Sequence, residues 1–245
     1  MSLLILGANS LIAQAAASHF AEAGHEIIFG GRKQDEPEKF ANDFAIRYKC
    51  KTRAEYIDAL DYASHKKFVE EEQTKTPDLE YVLIVFGYLG TQEKAQSDFT
   101  EAHRIIDTNF TGVVSVCELF AAEFESVKRG NIAVISSVAG DRGRQSNYMY
   151  GSAKGGLTVY LSGLRNRLFK SGVNVLTIKP GFVNTPMTYG MPLPKPLVAS
   201  PEKVGKDIHK AMVKRKSVIY TPFFWRWIML IITSIPEFMF KKLKL

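Results

Sequence analysis

Cysteine is almost missing from this chain of 245 residues. Cys50 and Cys117 have neither metal-ligand spacing nor the density of a disulfide framework, which fits a reducing cytosol and two packing residues. No metal site is expected. Glycine is scarce where a phosphate-binding loop would want it: the first turn reads L-G-A-N-S-L-I-A, with Gly7 alone and Leu11 and Ala13 where further glycines would allow close approach. A basic leader with a long apolar core and cleavage site is also lacking, so no export signal is expected. Internal repeats and low-complexity tracts do not occur, which argues against solenoid or disordered architectures. What is there is apolar residue, 46% of the chain, enough for one α/β domain with a large core and too short a chain for two.

Charge is unevenly placed. The formal net charge is +7, yet ten of the 32 Lys/Arg and only three of the 25 Asp/Glu lie after Ser200. The body is balanced and the tail is basic, which favours an anionic surface met by the tail and speaks against a general nucleic-acid binder.

The apolar run at residues 3–6 reads as a buried parallel strand, Gly7 as a turn, and residues 10–23 as a helix closed by Gly24. Strand, tight turn and helix N-terminus together can hold a pyrophosphate, which makes Gly7, Asn9, Ser10, Leu11 and Ile12 candidate cofactor-binding residues. A buried strand followed by a capped helix would read the same way. The second strand, 26–29, ends in Gly30, Gly31, Arg32 and Lys33. No acid able to bind a ribose hydroxyl occurs before Asp35, whereas Arg32 could meet a 2′-phosphate; NADP(H) is therefore expected ahead of NAD(H), a bare surface arginine being the alternative. After a helix at 37–48 and a strand at 52–57, Asp61 and Tyr62 are placed to meet an adenine edge.

A solvated helix, 64–74, leads to a strand at 81–86. Beyond it Gly87 would let a flat cofactor lie against the backbone. The long helical pattern at 97–124 carries Asn109 and Gly112, both poor helix formers. Asn109 is expected either to hold a water that relays protons to Lys154 or to mark a kink or packing amide.

The densest chemistry lies in residues 131–154. A short strand through Ile135 ends in Ser136 and Ser137, and a loop leads to a helix opening near Ser146 on which Tyr150 and Lys154 are one turn apart on one face. A free phenol has a pKa of about 10, and a nearby ammonium favours its ionised form. A serine holding a carbonyl oxygen while the phenol protonates it would leave the carbon open to hydride. An ordinary amphipathic helix with Tyr and Lys on its surface is the bland alternative. A strand at 173–178 follows, then Pro180 and Gly181, then a proline-rich excursion at 182–200 expected as a substrate lid. Pro180, Gly181, Val183 and Thr185 join the candidate cofactor set, Thr185 toward the nicotinamide carboxamide. A helix at 201–214 and a strand at 218–220 complete the sheet. The expected fold is α/β, a Rossmann-type doubly wound parallel sheet of about seven strands with helices on both faces, occupying residues 1–222, plus a C-terminal amphipathic helix in residues 223–245.

Taken together, G-A-N-S-L-I-A from Gly7, Asp61, Asn109, I-S-S-V-A-G, Y-G-S-A-K and P-G-F-V-N-T resemble the short-chain dehydrogenase/reductases over nearly the whole chain. The resemblance implies Tyr150 as proton donor, Lys154 on the nicotinamide ribose and lowering the tyrosine pKa, Ser137 orienting the carbonyl, and Asn109 supporting a proton relay. Tyr148 is excluded because Lys154 lies six residues away. Leu11, Ala13 and V-F-G at residues 85–87 depart from the family pattern. A closer resemblance, carried by V-F-G-Y-L-G, Y-G-S-A-K-G-G-L and the tail, is to reductases of decaprenylphosphoryl-ribose epimerase systems. It implies a 2-keto sugar on a polyprenyl phosphate and a partner oxidase. A soluble ketone or acyl substrate, or a cofactor-binding scaffold without turnover, are the competing readings.

As a helix, residues 223–235 would be about 20 Å long, short of the roughly 30 Å hydrocarbon core, and they carry Arg226. The segment should not span a membrane. Two tryptophans, bulky aliphatics and K-K-L-K-L suit a helix lying in an anionic membrane surface, which would put a cytoplasmic protein at the inner face; packing on the sheet or a second subunit is the alternative. A homo-oligomer is expected because helix 146–170 has Leu157, Val159, Tyr160, Leu161, Leu164 and Leu168 on more than one face.

Overall fold

The computed structural model describes residues 1–33 and 35–243; the last two residues of the basic tail lie outside them. Seven parallel strands form the central sheet in the order β3-β2-β1-β4-β5-β6-β9. The elements up to the sheet's midpoint are β1 (Ser2–Leu6), α1 (Leu11–Glu22), β2 (Glu26–Gly31), α2 (Asp35–Tyr48), β3 (Thr52–Tyr56), α3 (Tyr62–Lys75) and β4 (Leu79–Ile84). The second half runs through α4 (Gln92–Ser97), α5 (Phe99–Ile106), α6 (Gly112–Val127), β5 (Asn131–Ile135), α7 (Tyr148–Leu168) and β6 (Asn174–Pro180). A two-stranded ladder of β7 (Phe182–Val183) and β8 (Val198–Ala199) precedes α8 (Pro201–Val213), β9 (Val218–Thr221), α9 (Trp225–Ser234) and α10 (Glu237–Phe240).

Sequence alternation explains the layers. In β1, Leu3 and Ile5 face a core shared with α1, α2 and α8, while Leu4 and Leu6 face one shared with α3, α6 and α7. A strand buried on both faces must be apolar throughout, as β1 is. The chain leaves β1 toward β2 and β3, then crosses to β4 on the other side. That reversal opens a crevice beyond the C-terminal ends of β1 and β4, where ligands bind in such sheets.

Two expectations change here. The helical stretch Phe99–Val127 is long and apolar enough to cross a membrane, but Val113, Val116, Phe120 and Phe124 bury it in the core. It is also not regular: a π-helical turn, Asp107–Thr111, separates α5 from α6. The second change concerns α7. Leu157, Leu161, Leu164 and Leu168 are core residues of this same chain, and Tyr160 packs against that core with its hydroxyl donating to Glu118 at 2.9 Å. Only Val159 of the six faces outward, at 74% exposure, so the apolar faces of this helix do not by themselves call for a second subunit.

Candidate active site

β5 delivers two serines with different jobs. Ser136 is buried and ties the strand end to α7, meeting the Lys154 carbonyl at 3.0 Å and the Thr158 hydroxyl at 2.8 Å. Ser137 starts a single 3₁₀ turn; its oxygen accepts from the Ala139 amide at 3.1 Å, so its own proton can be donated elsewhere. Helix α7 reaches this turn because glycines line the seam. A Cβ on Gly140 would fall 2.8 Å from the Lys154 carbonyl oxygen, and one on Gly151 would fall 2.9 Å from that of Ala139. The sequence displayed these glycines within Y-G-S-A-K and A-G-D, yet their role as a packing seam went unread.

The seam brings Ser137, Tyr150 and Lys154 together. The Ser137 hydroxyl hydrogen-bonds the Tyr150 hydroxyl and lowers its pKa, but burial acts more strongly and pushes the phenol up to about 12. Tyr150 as a whole residue is half-buried. Lys154 is buried; its Nζ donates to the Ile135 carbonyl at 2.9 Å and lies 5.8 Å from the Tyr150 ring centroid. Burial lowers its ammonium to about 7. The expected acidification of the phenol by Lys154 is therefore not the dominant effect: both groups are driven toward their neutral forms by desolvation.

Asn109 is fully buried in the π-helical turn. Its amide donates to the carbonyls of Tyr88 at 2.6 Å and Ile105 at 2.8 Å, and its oxygen accepts from the Tyr88 amide at 3.3 Å. The side chain thus holds the loop after β4, as a packing amide does. Gly112 follows because α6 passes very close to the β3–α3 turn; a Cβ there would sit 2.2 Å from the Ala59 carbonyl oxygen.

Around the crevice, Gly7 adopts φ +110°, which glycine tolerates, and its amide donates to the Gly30 carbonyl at 2.9 Å. Ser10 caps α1, Ile12 is buried beneath it, and Leu11 is exposed at the helix start. An open groove of about 410 Å³ is lined by Leu11, Asn184, Thr185, Pro186 and Tyr189, so the α1 N-terminus and the lid face each other. Gly87 is exposed, and a Cβ built on it would lie 3.5 Å from the Met187 methyl. Pro180 closes β6, Gly181 donates to the Thr221 carbonyl at 3.1 Å, and Val183 is buried in β7.

Three further contacts bear on the cofactor set. Asn9 donates to Glu36, which also pairs with Lys33 at 3.0 Å; these bonds hold its carboxyl below the usual range. Arg32, by contrast, is exposed and has no ion pair among the described residues. Asp61 is an exposed N-cap of α3 making no cap bond, and Tyr62 packs edge-on against His65. Asp58 is the first carboxylate beyond β3, half-buried, its Oδ1 accepting from the Leu60 amide at 3.0 Å. D-A-L-D holds both acids.

The tail is a wall of this site. Trp225, 2% exposed, and Met229 pack on Val138, the residue after Ser137, with Phe182 and Leu197 of the lid around them. Trp225 sits so close to Gly181 that a Cβ there would overlap the indole at 1.9 Å. The loop after Ser137 is anchored to β6 and β9, where Asp141 pairs with Lys179 at 2.5 Å and accepts from the Tyr220 hydroxyl at 2.8 Å. Arg142 donates to the carbonyls of Ile232, Thr233 and Ile235 at the end of α9. The opposite face of the tail exposes Phe223, Trp227, Leu230, Ile231, Phe238 and Met239.

Sheet order, a helix N-terminus at the crevice and a Ser–Tyr hydroxyl pair one helical turn from a lysine define a dinucleotide-dependent oxidoreductase. The model of the family described as short chain dehydrogenase matches residues 2–193. An uncharacterized oxidoreductase of Mycobacterium tuberculosis is 33% identical over 240 residues, covering 98% of this chain and 96% of the relative. Another, from Streptomyces coelicolor, is 30% identical over 244 residues, 99% of this chain and 95% of the relative. Among solved structures, a short-chain dehydrogenase from Sphingobium yanoikuyae in complex with NADPH aligns with TM-score 0.80 at 20% identity, covering 97% of each chain. Actinorhodin polyketide ketoreductase with NADPH aligns with TM-score 0.80 at 16% identity, covering 91% of this chain and 96% of that one. The chain belongs to the short chain dehydrogenase family, and as a member it is an NAD(P)-dependent oxidoreductase.

Proposed function

We propose that the protein reduces a ketone to a secondary alcohol, or runs the reverse, with NADP(H) preferred and NAD(H) accepted. The observation that carries this is the meeting of the Ser137 and Tyr150 hydroxyls with Lys154 one turn along α7. Gly7, Ser10, Gly87 and the open groove fit a dinucleotide lying along the crevice, and the exposed cation of Arg32 suits a 2′-phosphate. Bound there, the nicotinamide supplies the hydride. Ser137 donates to the substrate carbonyl oxygen and Tyr150 gives that oxygen its proton. Lys154, held by the Ile135 carbonyl, stabilises in its ammonium form the phenolate left on Tyr150 until a proton from solvent restores the phenol. Asn109 fixes the Tyr88 loop against which the cofactor lies.

For the substrate the proposal is a keto sugar carried on a polyprenyl phosphate, supplied by a partner oxidase. Its support is the apolar and basic outer face of the tail: Trp227, Leu230, Ile231 and Phe238 beside Arg226, Lys241 and Lys242 would rest on an anionic membrane at the cytoplasmic side. A homo-oligomer is part of the same proposal, with Val159 and Phe169 as its outward apolar residues. The reductase reading is tested with Tyr150→Phe, which should abolish ketone-dependent NADPH oxidation while NADPH binding persists; retained activity would remove Tyr150 as the acid. Flotation of the full-length protein with anionic but not neutral liposomes tests the tail.

A further inference from the structure

Between Ser137 and Tyr150 stands a guanidinium with little to hold it. Arg144 has no carboxylate within ion-pair distance among the described residues; its Nη2 points at the Met229 sulfur at 3.2 Å, a weak acceptor, and its Nε is buried without a hydrogen-bond partner. Its neighbours are treated differently: Arg142 donates to three carbonyls and pairs with Glu237, and Lys179 pairs with Asp141. Burial also draws the Arg144 pKa below its ordinary value. Two more unpartnered polar atoms lie at the same helix start. Gln92, 7% exposed, accepts from the Met149 amide at 3.0 Å, which fixes its amide and leaves Nε2 without a partner. Asn147 donates its backbone amide to the Arg144 carbonyl at 3.1 Å and leaves a buried Oδ1 unbonded.

Buried polar groups in native proteins nearly always find partners. Three unpartnered ones around the start of α7, less than a turn before Tyr150, therefore point at a ligand. Their chemistry is specific: a forked cation that matches an oxyanion, one amide donor and one amide acceptor that match hydroxyls. Met229, on which Arg144 rests, shares an apolar cluster with Val138, the residue after Ser137, and Met149, whose amide Gln92 holds, precedes Tyr150, so these polar groups flank the Ser137–Tyr150 pair on both sides. We propose that Arg144, with Gln92 and Asn147, forms a substrate subsite for a hydroxylated group bearing a phosphate or phosphodiester. The subsite rests on the reductase reading for its place beside the carbonyl, but not for its ability to bind.

Calorimetry on the full-length protein saturated with NADP⁺ tests it with ribose 5-phosphate against ribose, and with farnesylphosphoryl ribose in detergent. The phosphate ester should bind about ten- to a hundredfold tighter than ribose, Arg144→Gln should erase that difference, and Arg144→Lys should restore part of it. Gln92→Leu should weaken ribose and its phosphate alike. NADP⁺ affinity serves as the folding control and should not change in any variant. Arg144 dependence with both esters places the phosphate alone in the subsite, and dependence with the farnesyl ester alone assigns it to a lipid-linked substrate. Equal binding of both esters by wild type and Arg144→Gln would overturn the proposal. Arg144-dependent binding without turnover of any ketone would sink the reductase reading and leave the subsite standing, whereas turnover without such binding would do the opposite.

Discussion

Removing the Arg142 side chain should release the tail from the catalytic loop without unfolding the domain. Arg142 is 15% exposed; it donates to three carbonyls at the C-terminal end of α9, at 3.3, 3.1 and 2.7 Å, and lies 3.9 Å from the Phe240 ring centroid. Hydrogen bonds from a charged donor contribute about 1.5–3 kcal/mol, and a cation over an aromatic face adds about 0.5–1 kcal/mol. The salt bridge to Glu237, itself 76% exposed, adds next to nothing. Because one side chain makes all of these contacts they do not add in full, and Arg142→Ala should cost the docked tail about 2–4 kcal/mol. That raises the detached population by roughly 30- to 1,000-fold. Hydrogen exchange is the assay: amides of α9 should exchange faster by that factor while those of β1, β4 and β5 keep wild-type protection. Unchanged exchange in α9 would refute the clamp, and equal acceleration throughout the sheet would show that the loss is global.

The other predictions concern the site itself. Gly181→Ala puts a methyl into the Trp225 indole, so it should destabilise by about 1–3 kcal/mol in urea titrations; Trp225→Leu should recover part of that loss, and strict additivity would contradict the contact. Asn109→Ala strips the Tyr88 loop of two hydrogen bonds and the Ile105 carbonyl of one; it should lower stability by about 2–4 kcal/mol and raise KM for NADPH more than for substrate, a reversed pattern counting against a positioning role. Lys154 is held near 7 in the folded protein against an ordinary value of 10.5. The unfolded chain therefore binds more protons between these values, and wild-type stability should rise with pH from about 7 to about 10. Lys154→Met should accordingly raise the melting temperature most below pH 7, with the gain shrinking as pH climbs; a gain independent of pH would show that Lys154 is not charged at a cost.

The strands were legible because parallel strands buried on both faces leave uninterrupted apolar runs, as Leu3 to Leu6 and Ile132 to Ile135 do. Ser137, Tyr150 and Lys154 were legible because a strand end and a helical spacing of four are local properties. What needed the fold was anything decided by partners distant in sequence. The bonds between Asn109 and Tyr88, and the seat of the α7 leucines in the sheet core, could not be read from local spacing. The phenol's pKa could not be read from the Tyr–Lys spacing, since burial is set by the whole crevice. Nor could a pattern of two tryptophans say that Trp225 faces Gly181 while Trp227 faces outward.

The ladder of β7 and β8, only two residues on each side, has a consequence for what this protein can become. Phe182 pairs with Val198 and Val183 with Ala199, so both feet of the loop between them are stitched to one hem. Residues 184–197 can then lengthen, shorten or change chemistry without moving Pro180 or the start of α8, since added loop length costs little once the ends are fixed. Selection for a different substrate could rewrite that flap while the hydroxyl pair beneath it stays where it is.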